Sequence, residues 1–119
     1  MTGIPQTPVT AGASPAMVAL SLTVYNHPGV MTHICSLFAR RAFNMESIFV
    51  VPINGTDTSR IWILVNNDNR LDQMVLQTRK LEDVIDVTVW PDGLDAFQRF
   101  SAFMHVWEST SPNSISNAN

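Results

Sequence analysis

The feature that most limits how this chain can fold is a change of hydrophobic period close to residue 26. Over residues 18–25, apolar and mostly β-branched residues alternate with small or polar ones, which indicates a strand with one buried face. From Val30 onward, apolar residues recur every three or four positions, which indicates an amphipathic helix. The chain therefore has to leave a strand and enter a helix within residues 26–29.

The residues at this corner are Asn26, His27, Pro28 and Gly29. Pro28 fixes φ and has no N–H that needs a partner, and Gly29 allows the backbone to approach another group closely. The first amides of the helix, beginning at Val30, have no intrahelical acceptor and lie at the positive end of the helix dipole. The corner is thus suited to the carboxylate of an amino acid, although the same residues also occur in turns that bind nothing.

Periodicity predicts three more strands and one more helix. The strands cover residues 48–53, 61–65 and 85–90, and the helix runs from a cap at Asn69 to Leu81. The order βαββαβ predicts an α+β, ferredoxin-like fold. Its four-stranded antiparallel sheet is expected to have the strand order 4-1-3-2, with both helices on one face.

Local turn chemistry agrees with this topology. Pro52 places the second strand at an edge of the sheet, because proline cannot donate a hydrogen bond to a neighbouring strand. Asn54 and Gly55 predict a hairpin turn between the second and third strands.

Composition divides the chain into four segments. Residues 17–91 form the predicted domain, and residues 92–108 form an amphipathic, helical extension. The segments 1–16 and 109–119 consist largely of small and polar residues, so we expect both to be disordered tails.

The sheet face without the two helices needs cover. Depending on register, Phe49, Trp62 or Leu64 lies on that face, which favours pairing with a second copy. The extension carries its own apolar stripe and has two open interpretations: a third helix packed on the protein's own sheet, or a helix that docks to another protein. The stripe consists of Phe97, Phe100, Phe103, Met104 and Trp107.

Charge and composition argue against several classes of partner. The formal net charge is -3, and the third predicted strand lacks the basic and aromatic pattern of an RNA-recognition module, which otherwise shares the βαββαβ order. Nucleic acid is therefore not an expected partner. No apolar run has membrane-spanning length, and no secretion signal is recognisable, so we expect a cytoplasmic protein without a membrane partner.

The residues offer no convincing catalytic or metal site. His27, His33 and Cys35 are the only suggestive set, but positions 33 and 35 are two residues apart on a helix and face different ways. Metal ligands on a helix recur three or four residues apart, so a metal site is not expected either. We expect His27 to be solvated and Cys35 to be a small buried hydrophobe.

Three runs of the sequence carry a resemblance to a known family. Residues 26–33, 37–44 and 60–66 together resemble the ACT-domain regulatory subunit of acetohydroxyacid synthase (acetolactate synthase). The similarity extends over residues 17–91, and it is closest to the short form that has a single ACT domain.

The resemblance implies a site shared between two chains. In that family two ACT domains pair side by side as a homodimer, and a branched-chain amino acid, typically valine, lies at their interface. The implied ligand-binding residues are Asn26, His27, Pro28, Gly29, Val30 and Met31 of one chain and Asn44 of the other.

The resemblance also implies a partner enzyme. The family's large catalytic subunit carries thiamine diphosphate, magnesium and FAD, and none of these cofactors is expected on this chain. The implied role is non-catalytic: activation of that subunit and its feedback inhibition by valine in branched-chain amino-acid biosynthesis. An ACT-type sensor that regulates a different enzyme is the alternative that the sequence leaves open.

Overall fold

A computed structural model describes residues 15–110 of the protein. Of the two predicted disordered tails, residues 1–14 and 111–119 lie outside the described part. The elements follow one another as β1 (Met17–Tyr25), α1 (Val30–Arg40), β2 (Met45–Pro52), β3 (Thr58–Asn66), α2 (Leu71–Arg79), β4 (Val84–Trp90) and α3 (Gly93–Thr110).

The strands form one antiparallel sheet in the order β2-β3-β1-β4. This confirms the predicted ferredoxin-like topology and places β2, with Pro52 at its end, on an edge of the sheet. The hairpin between β2 and β3 turns at Gly55, whose φ of +79° lies in the left-handed region that glycine adopts without strain. Because β1 pairs antiparallel with β4, the end of β1 lies beside the start of β4.

The main core lies between the sheet and the helices α1 and α2. Alternate residues of β1 and β3 face these helices and are almost fully buried, as alternation of side chains along a strand requires. From the helices, Ile34 and Phe38 of α1 and Met74 of α2 enter the same core. The strand residues of this layer are Val18, Leu20, Leu22 and Val24 of β1 and Ile61, Ile63 and Val65 of β3.

The opposite face of the sheet is partly covered by α3. Gly93, at the start of this helix, lies so close to β1 that an added Cβ would be 3.1 Å from the backbone nitrogen of Ala19. Phe97 is buried with Ala19 and Leu64, and Phe100 stacks on Phe49 with 4.9 Å between ring centroids. The first half of α3 therefore packs on the protein's own sheet.

Three local expectations were wrong. Helix α2 begins after Arg70 rather than after a cap at Asn69, and it is the Asp68 side chain that accepts the Arg70 amide at 2.6 Å. Cys35 is exposed, because Ile34 and Phe38 define the buried stripe of α1 and residue 35 is turned about 100° away from position 34. Helix α3 extends through Thr110, into the segment expected to be a tail.

No helix within residues 15–110 combines the length and apolar character needed to cross a membrane.

Candidate functional site

The predicted ligand corner is the loop between β1 and α1, and it is anchored by the strands on both sides. The Tyr25 amide donates to the Asp83 carbonyl at 3.0 Å, just before β4, and the Asn26 amide donates to the Asp57 carbonyl at 2.8 Å, just before β3. Asn26, His27, Pro28 and Gly29 are all exposed. A fixed backbone thus presents an open surface.

Helix α1 begins at this surface without a side-chain cap. Gly29 is the N-cap residue, with φ +90° and ψ −11°, and no side chain accepts a hydrogen bond from the first amides. The first helical bond runs from the His33 amide to the Gly29 carbonyl at 3.0 Å, so the amides of Met31 and Thr32 have no acceptor within the helix. The first turn has no acidic residue. These donors and the helix dipole favour an anion here.

The side chains at the start of α1 alternate between core and surface. Val30 is buried against the sheet, whereas Met31 is half-buried and lies at one end of an open groove on the outer face of the helix. The groove has a volume of about 420 Å³ and is also lined by Thr32 and Cys35. The groove is shallow and widely open to solvent.

His27 is held in an ion pair rather than simply solvated, contrary to expectation. Its Nε2 lies 2.6 Å from Oδ1 of Asp83, and its Nδ1 lies 3.0 Å from the Pro28 carbonyl. Because both partners are acceptors, the two contacts together require both ring nitrogens to be donors, as in the imidazolium form. The bond to the Pro28 carbonyl and then the bond to Asp83 raise the pKa of His27 above its usual value.

Asp83 also contacts the first turns of α1. Its Oδ2 lies 3.1 Å from Nδ1 of His33. Partial burial opposes ionisation of this carboxyl, but the hydrogen bonds from His33 and His27 outweigh it and lower the pKa of Asp83. One carboxylate therefore joins the loop, the helix and the start of β4. Within residues 15–110, no group of three or more His, Cys, Asp or Glu side chains is arranged to hold a metal ion.

Asn44, the other predicted ligand residue, lies at the far end of the domain. Helix α1 has 11 residues and is therefore about 16 Å long, and it separates Asn26, before its start, from Asn44, after its end. Asn44 is exposed, and its Nδ2 donates to Glu46 at 2.6 Å. A single chain does not bring the two asparagines together.

Arg70 fixes the loop that carries Asn44. Its guanidinium donates to the carbonyls of Arg41 at 2.9 Å and Ala42 at 3.3 Å, and it lies over the Phe43 ring at 5.2 Å from the centroid. Ala42 has a φ of +52°, a conformation that L residues rarely adopt without external support. Neither Arg70 nor Asp83 was among the predicted site residues, because both act across long separations in the chain.

Fold and sequence similarity together assign this chain to a known family. The fold, with four antiparallel strands and two helices on one face, is that of an ACT domain, and a family profile described as "AHAS small subunit-like ACT domain" matches residues 20–86. Here AHAS denotes acetohydroxyacid synthase. The chain belongs to this family of AHAS small subunits.

Individual relatives agree with this assignment. The chain is 64% identical over 86 residues to the acetolactate synthase isozyme 1 small subunit of Escherichia coli (strain K12), covering 72% of this chain and 90% of that protein. It is 38% identical over 81 residues to the acetolactate synthase small subunit of Mycobacterium avium, and the match covers 67% of this chain and 48% of that protein. The crystal structure of the acetolactate synthase small subunit from Thermotoga maritima superposes with a TM-score of 0.57 at 39% identity. The superposition covers 61% of this chain and 46% of that chain.

Proposed function

We propose that this protein is the regulatory subunit of acetohydroxyacid synthase, which activates the catalytic subunit and makes it subject to feedback inhibition by valine. Membership of the family supports the regulatory role. The observation that carries the valine assignment is the uncapped start of α1 at Gly29. It offers the unpaired amides of Met31 and Thr32 to a carboxylate, and the helix dipole adds to the attraction.

Each group of valine has a matching partner at this corner. The free amides of the first helical turn, at Met31 and Thr32, donate hydrogen bonds to the carboxylate, whereas the Val30 amide already donates to the His27 carbonyl at 3.4 Å. Side-chain oxygens of Asn26 and of Asn44 accept hydrogen bonds from the ammonium group. The isopropyl group enters the groove that begins at Met31.

Two chains are needed to complete this site. Strands β1 and β2 point the same way in the sheet, since each pairs antiparallel with β3. If two copies pair antiparallel through their β2 edges, the start of one β2 lies at the end of the other. Asn44 of a second copy then comes to the end of the sheet where Asn26 lies.

Strand β2 has the properties of such an edge. It is an unpaired edge strand whose apolar residues are exposed on both faces: Ile48 by 37%, Val50 by 43% and Val51 by 44%. An exposed apolar edge favours pairing with another strand. These values support a homodimer formed by β2.

The chemistry of acetolactate formation belongs, in this proposal, to the catalytic subunit. Thiamine diphosphate, magnesium and FAD lie there, and this chain acts in the cytoplasm as a non-catalytic sensor. Valine acts by binding one state of the assembly more tightly than another, and its effect on activity is bounded by that difference in affinity.

Titration calorimetry with three ligands tests the site. Valine is compared with valinamide, which lacks the carboxylate, and with 3-methylbutanoate, which lacks the ammonium group. We expect valinamide to lose more than tenfold in affinity, because the first-turn amides lose their anion. Valinamide binding as tightly as valine would contradict the assignment of the carboxylate to this helix start.

A further inference from the structure

The imidazole ring of His33 lies over the start of helix α1. His33 is one turn after Gly29, and its amide makes the first helical hydrogen bond, to the Gly29 carbonyl at 3.0 Å. A side chain at position 29 would meet this ring, because Nε2 and Cε1 of His33 lie 3.9 and 4.0 Å from the place of a Cβ. One edge of the ring, with Nε2, therefore borders the open space that Gly29 leaves at the start of the helix.

Asp83 determines which nitrogen of His33 faces this space. Oδ2 of Asp83 lies 3.1 Å from Nδ1 of His33. An ionised carboxylate only accepts hydrogen bonds, so Nδ1 carries the proton, and in a neutral imidazole the second nitrogen, Nε2, is then an acceptor. The side chain of Asp83 is 13% exposed and that of His33 is 60% exposed. The orienting group is thus held in the structure, while Nε2 stays open to a ligand.

Asp83 also brings His33 close to the part of the loop that carries Asn26. Its backbone carbonyl accepts the amide of Tyr25 at 3.0 Å, and Tyr25 directly precedes Asn26. Its carboxylate accepts the hydrogen bond from the His33 ring. One residue therefore holds Asn26 and His33 at the same corner, although the first lies in the loop and the second in α1.

An ammonium group at this corner has one donor more than the proposed site satisfies. It carries three N–H donors, as the ammonium of lysine does. The proposed valine site supplies one acceptor from Asn26 and one from Asn44 of a second copy. We propose that Nε2 of His33 accepts the third hydrogen bond, and that His33 thereby selects an amino acid over the same acid without an amine. This inference rests on the proposed valine site and adds one residue to it.

The charges of the neighbouring side chains favour contact with the ammonium group over contact with the carboxylate. To bind the ligand carboxylate, Nε2 of His33 would have to donate, which requires a second imidazolium at this corner. His27 already provides one, because its two ring nitrogens face the Pro28 carbonyl and the Asp83 carboxylate. The single negative charge of Asp83 is thus balanced by His27, and a neutral His33 leaves the three side chains without net charge.

Titration calorimetry of the full chain at pH 8, where an ordinary imidazole is mostly neutral, tests the inference. Valine is compared with 3-methylbutanoate, which has the same carboxylate and isopropyl group but no ammonium. We expect His33→Ala to lower the affinity for valine about tenfold, as when a charged group loses a hydrogen bond, and that for 3-methylbutanoate less than about twofold.

Two further variants separate the acceptor from the bulk of the ring. In His33→Gln, the side-chain oxygen can accept in place of Nε2, so the affinity for valine should fall less than about threefold. His105→Ala is the matched control, because His105 is an exposed histidine on α3 that pairs with Glu108. Neither affinity should change in the control.

The ¹⁵N spectrum of the His33 ring provides a second measurement. The proton should be on Nδ1, and valine, but not 3-methylbutanoate, should shift the Nε2 signal. Equal losses for both ligands in His33→Ala would overturn the inference, since the ring would then have only a structural role. A larger loss for 3-methylbutanoate would overturn it as well, because the ring would then contact the carboxylate. If the unmodified protein did not bind valine at all, the proposed site would fail together with the inference.

Discussion

The carboxylate of Asp83 bonds to His27 at 2.6 Å and so ties the β1–α1 loop to the start of β4. The two residues are 56 positions apart in the chain. They meet because β1 and β4 are neighbours in the sheet, so the end of one strand lies beside the start of the other. The loop that presents the first amides of α1 is thereby held by a histidine whose pKa is raised above its usual value.

This pair predicts a pH dependence of loop stability. The pKa of His27 is raised by the Pro28 carbonyl and by Asp83, so its stabilising contribution is complete below the unfolded pKa near 6.5 and is lost as pH rises through the folded value. The pKa of Asp83 is lowered, so its contribution is lost only as pH falls through that lowered value. We expect the His27–Asp83 pair to stabilise the loop most at pH values between the lowered pKa of Asp83 and the raised pKa of His27.

An NMR titration of the histidine ring protons checks this expectation. In the unmodified protein, the His27 ring should titrate above pH 6.5. In Asp83→Asn, its pKa should fall but stay somewhat raised, because the Pro28 carbonyl remains. A His27 pKa that is the same in both proteins would contradict the role of Asp83.

Substitutions at Gly29 separate backbone strain from charge. With φ +90°, any side chain is strained there, although an added Cβ meets only the ring of His33, at 3.9–4.0 Å. We expect Gly29→Asp and Gly29→Asn each to lower the free energy of unfolding by about 1 kcal/mol. Only the aspartate should abolish valine binding, because its negative charge repels the ligand carboxylate. If calorimetry gives the two variants equal affinity for valine, charge repulsion is not the reason for any loss of binding.

Mixing two asparagine variants tests whether the site is shared. Asn26→Ala and Asn44→Ala should each lose about 1–3 kcal/mol of valine binding energy, as expected when a charged group loses a hydrogen bond. A mixed dimer of the two variants has one site lacking both asparagines and one intact site. We therefore expect tight binding to return in a fraction of the sites after mixing and re-equilibration. If tight binding does not return although mixed dimers form, each site lies within one chain.

Arg70 is expected to position Asn44 from a distance. In Arg70→Lys, a single ammonium group replaces the fork that reaches two carbonyls, so the loop before β2 should loosen. We expect a loss of about 0.5–1.5 kcal/mol in unfolding free energy, measured by urea denaturation, and weaker valine binding. Arg79→Lys serves as the comparison, because Arg79 donates to the Val87 carbonyl in β4 and does not contact this loop. Valine affinity that falls equally in both variants would point to a general loss of stability.

The fold was largely predictable from local patterns. Alternation in residues 18–25, the start of a helix at Val30 and the edge position of Pro52 each depend on near neighbours in the chain. The strand order followed from the element order βαββαβ through the ferredoxin-like topology, and the sheet has that order. The predicted cap of α2 at Asn69 is off by one residue because Asp68 and Asn69 both have side chains that can accept a hydrogen bond from the start of a helix, and the bond from the Arg70 amide to Asp68 decides between them.

The candidate site was predictable only in its backbone part. Gly29 and the uncapped helix start follow from residue types at one corner. The bonds of Asp83 to His27 and of Arg70 to the Arg41 carbonyl depend on which strands and helices lie side by side, and propensity contains no such information. Likewise, the apolar stripe of residues 97–107 shows that α3 needs cover, but only the close approach of Gly93 to Ala19 determines which half packs on the sheet.

Reconstitution with the catalytic subunit of acetohydroxyacid synthase from the same organism tests the central claim most directly. Acetolactate formation is measured while this protein is added to saturation, with and without valine, and Gly29→Asp is run in parallel. We predict that activity rises with added protein, that valine then lowers it, and that the variant activates but does not respond to valine. Absence of activation at saturating protein would contradict the account and leave an amino-acid sensor for a different enzyme.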